Sequence, residues 1–183
     1  MSFTDRVARL ALLPGIALHE LAHYYVCRAV GARIHAVCFF SFGAPAGYVV
    51  HTAPKTLRAH LAIVLGPLIV NTIAAVALFA ATALAIGEML REPPLLWAQH
   101  LPWIVVAGWL GLAAGLQALP SSGDAISLWQ VARWHLSQGN LFAVAAYPIA
   151  LLIRVTNWLR GVWVDWAYAL VLVWVGVRIS AGG

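Results

Sequence analysis

The run His19-Glu20-Leu21-Ala22-His23 has the clearest chemical content in the chain. In a helix, side chains four apart share a face, so both imidazoles can grip one divalent cation while Glu20 reaches a water beside it. Two imidazole ligands and a carboxylate base are the parts that metal-assisted hydrolysis uses. Seven His and three Glu in 183 residues give about 0.004 chance occurrences of this spacing, so its surroundings must decide its meaning.

Those surroundings are apolar. Hydrophobic residues make up 63% of the chain and charged ones 9%, with a mean hydropathy of +0.87. A soluble domain carries about a quarter charged residues, so an integral, multi-pass membrane protein is expected, with the cell membrane as its place. An ionisable side chain at mid-membrane costs roughly 2.5 to 3.5 kcal/mol, which makes three within two turns hard to explain as packing. The alternative for them is a pair of histidines hydrogen-bonded to Glu20 inside a bundle. The net charge of +5 comes from basic residues scattered at segment ends, which excludes a nucleic-acid partner. Cys27 and Cys38 sit in apolar sequence and read as small buried thiols.

A catalytic Zn²⁺ takes three protein ligands and leaves one position open. Cys27 lies on the His19 stripe, yet eight residues correspond to about 12 Å along a helix, too far for one ion. Asp124, in a Ser-Ser-Gly-Asp turn, is the leading third ligand, with His60, His51 and His35 as alternatives. Asp124 could also cap a helix starting at Ala125, and the two roles are compatible.

The elements that must position these residues follow from apolar run length and breakers. A helix is expected over residues 5–30, capped by Ser2 or Thr4 and closed near Gly31, with Pro14-Gly15 loosening it ahead of the polar cluster. It is not a signal peptide, because the polar cluster interrupts it and no small-residue cleavage site closes it. Residues 34–51 combine strand formers with the turn run Gly-Ala-Pro-Ala-Gly and predict a β-hairpin. Helices follow over 57–87 and 101–119, with a break at 120–124 and helical resumption over 125–136. Residues 141–180 form one long helix with an elbow or two helices. Nine Trp, several near segment ends, suit interfacial belts, and Asp165 reads as interfacial with Arg160 as partner. The fold class is therefore an all-α polytopic membrane protein of four to five transmembrane helices with a short β-hairpin, in a single domain over 1–183 with its core at 5–130.

The motifs in order resemble the site-2 protease group of intramembrane zinc metalloproteases. That group carries H-E-x-x-H on its first core helix, a Gly-Pro-x-x-Asn type motif on its second, and an Asn-x-x-Pro-x-x-x-Leu-Asp-Gly type motif on its third. This chain has His19 to His23, then Gly66-Pro67-Leu68-Ile69-Val70-Asn71, then Gln117-Ala118-Leu119-Pro120-Ser121-Ser122-Gly123-Asp124. It departs from the pattern in four places. Asn71 comes one residue late, Gln117 replaces Asn, Asp124 comes one residue early after Pro120, and Ala125 replaces Gly. The resemblance implies Zn²⁺ held by His19, His23 and Asp124, Glu20 as catalytic base, and Asn71 or Gln117 on the substrate backbone. It also implies regulated intramembrane proteolysis, with a transmembrane protein substrate unwinding to pair with the hairpin as an added strand. Phe40 and Tyr48 on that hairpin are candidate substrate contacts, set against packing or interfacial roles.

Arg28, Arg33, Lys55 and Arg58 flank the hairpin against Arg6, Arg9 and Arg91 opposite, which puts the hairpin on the cytoplasmic side. Regulation would come from the membrane segments, a homo-oligomer or another protein. The competing reading is a catalytically silent protein of the same fold acting as a binding or chaperone-like partner. A transporter would spread its intramembrane charges along a path, and a di-iron hydroxylase would need several His-rich boxes.

Overall fold

The computed structural model describes residues 2–159 and 163–182. The expected Asp165–Arg160 pair involves a residue outside that range. Among the described residues the protein is mostly helical, with one two-stranded antiparallel hairpin.

The first helix, α1 (Phe3–Ala29), starts at a capping box. Ser2 Oγ accepts from Asp5 N at 3.1 Å and Asp5 Oδ2 accepts from Ser2 N at 2.8 Å. It closes before Gly31, whose φ of +72° is the left-handed conformation that a helix end favours in glycine. Pro14 does not loosen it, since the helix runs unbroken through that position.

Strands β1 (Ile34–Cys38) and β2 (Tyr48–His51) pair antiparallel, Cys38 opposite Tyr48 and Ile34 opposite His51, with a register shift between Ile34 and Ala36. The loop between them is braced internally: Ser41 N donates to Ala46 O at 2.6 Å and Ser41 Oγ donates to Pro45 O at 3.0 Å. Arg9 Nη1 on α1 donates to Gly43 O, tying the loop tip to the far half of the helix.

Helix α2 (Leu57–Arg91) begins at the Thr56 cap and runs four residues past the expected end at 87. It stops at Glu92, where the following Pro93 disfavours helical backbone. Residues Pro94–Gln99 form a 3₁₀ turn, and α3 (Leu101–Leu116) follows. This helix ends three residues before the expected 119, because Pro120 restricts Leu119 and the chain leaves helical geometry ahead of it. Helix α4 (Ser122–Ser137) starts three residues before the expected Ala125. The C-terminal region is two helices, α5 (Ala146–Leu159), which follows a 3₁₀ turn at Leu141–Ala145, and α6 (Val164–Ser180).

Helix α2 is the hub, packed by α1, α3, α4 and α6. One core cluster joins the start of α2 to α4 and α5 through Leu57, Val64, Leu128, Ala132, Ala150 and Ile153. A second joins α2, α3 and α6 through Ala75, Phe79, Ala114 and Leu172. Alanine and glycine at these crossings let backbones approach closely. At Gly15 a β-carbon would lie 1.9 Å from Ala113 O, so α1 and α3 touch backbone to backbone one turn before His19.

Among the described residues, two helical segments are long and apolar enough to cross a membrane, Leu57–Arg91 and Leu141–Leu159, while α3 is apolar but shorter. The expected four to five spans thus reduce to two on length and composition. Arg6, Arg9 and the polar cluster dilute α1, and the 17 residues of α6 are short.

Candidate metal centre

Helical periodicity puts His19 and His23 on the buried face of α1, each 8% exposed, with ring centroids 5.0 Å apart and planes at 72°. His19 Nδ1 lies 2.7 Å from the carbonyl oxygen of Gln117. A carbonyl only accepts, so Nδ1 carries the hydrogen, and in the neutral ring Nε2 keeps the lone pair a metal needs. That carbonyl is available because α3 has just ended, and the last carbonyls of a helix lack partners within it.

Asp124 arrives from 101 residues beyond His23 through the start of α4. Ser121 is the N-cap and Asp124 stands at the third helical position, in a reciprocal capping box, not at the cap of a helix beginning at Ala125. Asp124 Oδ2 accepts from Ser121 N and from Ser121 Oγ, both at 2.7 Å. Its other oxygen, Oδ1, lies 3.4 Å from His23 Nε2. Asn157 on α5 donates to Pro120 O at 3.0 Å and steadies the break that carries Ser121.

His19, His23 and Asp124 each offer one ligand atom, and these atoms lie within 4.8 Å of one another. Two imidazoles and a carboxylate are a donor set that suits Zn²⁺, and the imidazole fixed by a carbonyl at its far nitrogen is the usual arrangement of a metal-bound histidine. The residues therefore fit the metal that the sequence suggested. Glu20 lines the same cavity of about 350 Å³, together with Tyr48, Val49 and His51 of β2 and Ser121, Gly123 and Ser127 of α4. A smaller neighbouring cavity is lined by His19, Glu20, Pro45, Gly47, Gln117 and Leu119. The hairpin loop thus lies over the base: a β-carbon on Gly47 would come 2.6 Å from Glu20 Cγ.

The structure brings together His19, Glu20, His23, Asp124 and Tyr48, with Gln117 in the adjoining cavity. Asn71 is elsewhere. It is fully buried, and its Nδ2 faces Gly15 O and Ala114 O at 3.3 Å and Gln117 O at 3.0 Å, so it joins helices and lines neither cavity. Phe40 lines neither cavity and meets Phe42 edge-on, centroids 5.2 Å apart. Of the alternative ligands, His60 Nε2 hydrogen-bonds Ser127 Oγ at 3.0 Å, His51 stands on the cavity wall with Nδ1 donating to Thr52 O at 2.9 Å, and His35 is exposed on β1. Sequence reasoning missed Gly47, Ser121 and Ser127. For Ser121 the signal was present, because Ser-x-x-Asp is a capping-box spacing.

No protein family, curated protein or solved structure matches this chain.

Proposed function

We propose that this chain is an intramembrane zinc endopeptidase of the site-2 protease type, cutting peptide bonds in or near transmembrane segments of membrane-protein substrates. One observation carries the proposal: the H-E-x-x-H pair and a distant aspartate converge within 4.8 Å, with Glu20 on the wall of the same cavity.

Zinc held by His19, His23 and Asp124 would supply Lewis acidity, bringing the pKa of a bound water towards 7 and polarising the scissile carbonyl. Glu20 takes a proton from the attacking water as the C–O bond forms, then returns it to the amide nitrogen as the C–N bond breaks. The β2 edge beside the cavity can receive an unwound substrate segment, satisfying backbone groups that lipid would leave unpaired. Tyr48 stands there to touch it.

The membrane setting is part of the same reading. Large apolar side chains such as Ile73, Trp103, Leu170 and Trp174 lie exposed on the outer faces of α2, α3 and α6, a coat that lipid solvates and water does not. At 1.5 Å per residue α1 is about 40 Å long, enough to cross despite its charges. On this reading α1, α3 and α6 cross with the two longer segments, and Arg28, Arg33, Lys55 and Arg58 at the base of the hairpin favour the cytoplasmic side for that end, while its loop runs back along α1 to Arg9.

The deciding experiment measures zinc by elemental analysis together with cleavage of a test transmembrane substrate by purified protein in detergent. One zinc per chain with cleavage abolished by Glu20→Gln is the expected result. A chain without zinc, or cleavage that survives this substitution, rejects the proposal.

A further inference from the structure

We infer that Asn71 is a positioning residue for His19, acting through the backbone carbonyl of Gln117; the role rests on the zinc reading above. Gln117 is the C-cap of α3, and its carbonyl has left the helical ladder. The two lone pairs of that oxygen are taken by His19 Nδ1 at 2.7 Å and by Asn71 Nδ2 at 3.0 Å. The first bond sets the ring and its tautomer. The second holds the carbonyl that sets them.

The surroundings of Asn71 require an amide nitrogen there. Nδ2 sits among three carbonyls, from Gly15 on α1, Ala114 on α3 and Gln117 at the break, and has two hydrogens to share among them. Its shortest contact is the one to Gln117. The amide oxygen, also buried, has no hydrogen-bond partner among the described residues, so it is the donor end that does the work. A carboxylate in this volume would face three carbonyl oxygens, and an apolar isostere would donate nothing. Pro120, three residues on, offers no N–H to re-form helical bonds, so without Asn71 the Gln117 carbonyl keeps only the His19 bond and can turn with the broken segment. His19 would then lose the anchor at the nitrogen opposite the metal, a kind of loss that costs metal affinity about 10–100-fold.

Asn71→Leu and Asn71→Asp are compared with Thr72→Val as a packing control. Thr72 Oγ1 and Tyr168 Oη form a 2.7 Å bond that joins α2 to α6 but does not reach Gln117. The ¹⁵N resonances of His19 are recorded in metal-free protein, and zinc affinity is read by chelator competition. Both Asn71 variants are expected to shift the His19 Nδ1 resonance and weaken zinc by about 10–100-fold, while Thr72→Val lowers the melting temperature and leaves both readings unchanged. An Asn71→Leu protein with wild-type His19 resonances overturns the assignment, as does a Thr72→Val protein that loses as much affinity. Should neither Asn71 variant fold, Asn71→Ala, which has no donor, takes their place, and an unshifted His19 resonance there is equally decisive. If the unmodified chain binds no zinc, the metalloprotease reading falls, while the metal-free resonances still decide the role of Asn71.

Discussion

Ser121 and Asp124 hold each other at the first turn of α4. Two 2.7 Å bonds run from Ser121 to Asp124 Oδ2, and the Asp124 amide answers to Ser121 Oγ at 3.2 Å. The same carboxylate is thereby turned so that Oδ1 faces His23 Nε2. A helix start and a ligand position are specified by one side chain, and the capping bonds aim the ligand.

Ser121→Ala separates the two roles. It removes the hydroxyl bonds and leaves the carboxylate, so it should cost about 1 kcal/mol of stability as a lost cap and weaken zinc by about 10-fold or more through a looser ligand. Asp124→Ala should lose the metal altogether. Thermal melts and elemental analysis of the two variants check this. A Ser121→Ala protein with lowered melting temperature and wild-type affinity means that the cap does not aim the ligand.

Glu20→Gln keeps the shape of the side chain and removes the base. Zinc content should stay at the wild-type ratio while turnover falls by about 10²–10⁴-fold, the usual contribution of a positioned general base. Turnover that falls together with zinc content would mean that Glu20 acts on the metal site and not on the water.

Much of this arrangement was legible in the sequence, for identifiable reasons. The periodicity of a helix is enough to put His19 and His23 on one face, and runs rich in strand formers around Gly-Ala-Pro-Ala-Gly are enough for the hairpin. Asp124 was legible as a candidate because a broken helix is where polar groups collect. Its cap geometry was misread by three residues, since Ser121-Ser-Gly-Asp124 looks like a turn unless the capping-box spacing is given weight. The place of Asn71 was not legible. Whether a lone amide on an apolar helix faces a substrate or three neighbouring carbonyls depends on which helices cross, and periodicity along one helix does not contain that. Gln117 enters the site through its backbone carbonyl, which residue type cannot reveal.

Two glycines should respond oppositely to the same added methyl group. At Gly15 the new β-carbon meets the Ala113 backbone at 1.9 Å, so the α1–α3 crossing must open, and Gly15→Ala should lose stability at the upper end of the 1–3 kcal/mol typical of overpacking, or more. At Gly47 it meets the side chain of Glu20, which can swing away. Gly47→Ala should therefore keep its melting temperature and zinc while turnover drops by about 10-fold or more, because returning the displaced base to the attacking water against the new methyl costs about 1 to 2 kcal/mol. Wild-type turnover in Gly47→Ala would show that the loop does not constrain the base.

The linker after α2 carries a pH dependence of its own. Glu92 Oε2 accepts from His100 Nε2 at 2.9 Å and from Gln99 Nε2 at 3.0 Å, and these donors hold its carboxyl below the usual value of 4.5. A carboxylate whose folded pKa is depressed stabilises the folded linker fully above the unfolded value near 4.5, and that contribution is lost as pH falls through the lower folded value. The opposite sign, stability gained on acidification, would need a carboxyl raised by folding. Trp97 supplies the probe, since its indole Nε1 donates to the Glu92 backbone carbonyl at 3.1 Å and shares the linker's fate. With eight other Trp in the chain the readout is the indole ¹H–¹⁵N resonance of Trp97, which should hold steady from neutral pH down to about 4.5 and change below it. Glu92→Gln, which keeps an acceptor oxygen but no ionisable group, should remove that acid limb while leaving the neutral-pH signal in place. An unchanged acid limb in the Gln variant would assign the transition to another group and detach the linker from Glu92.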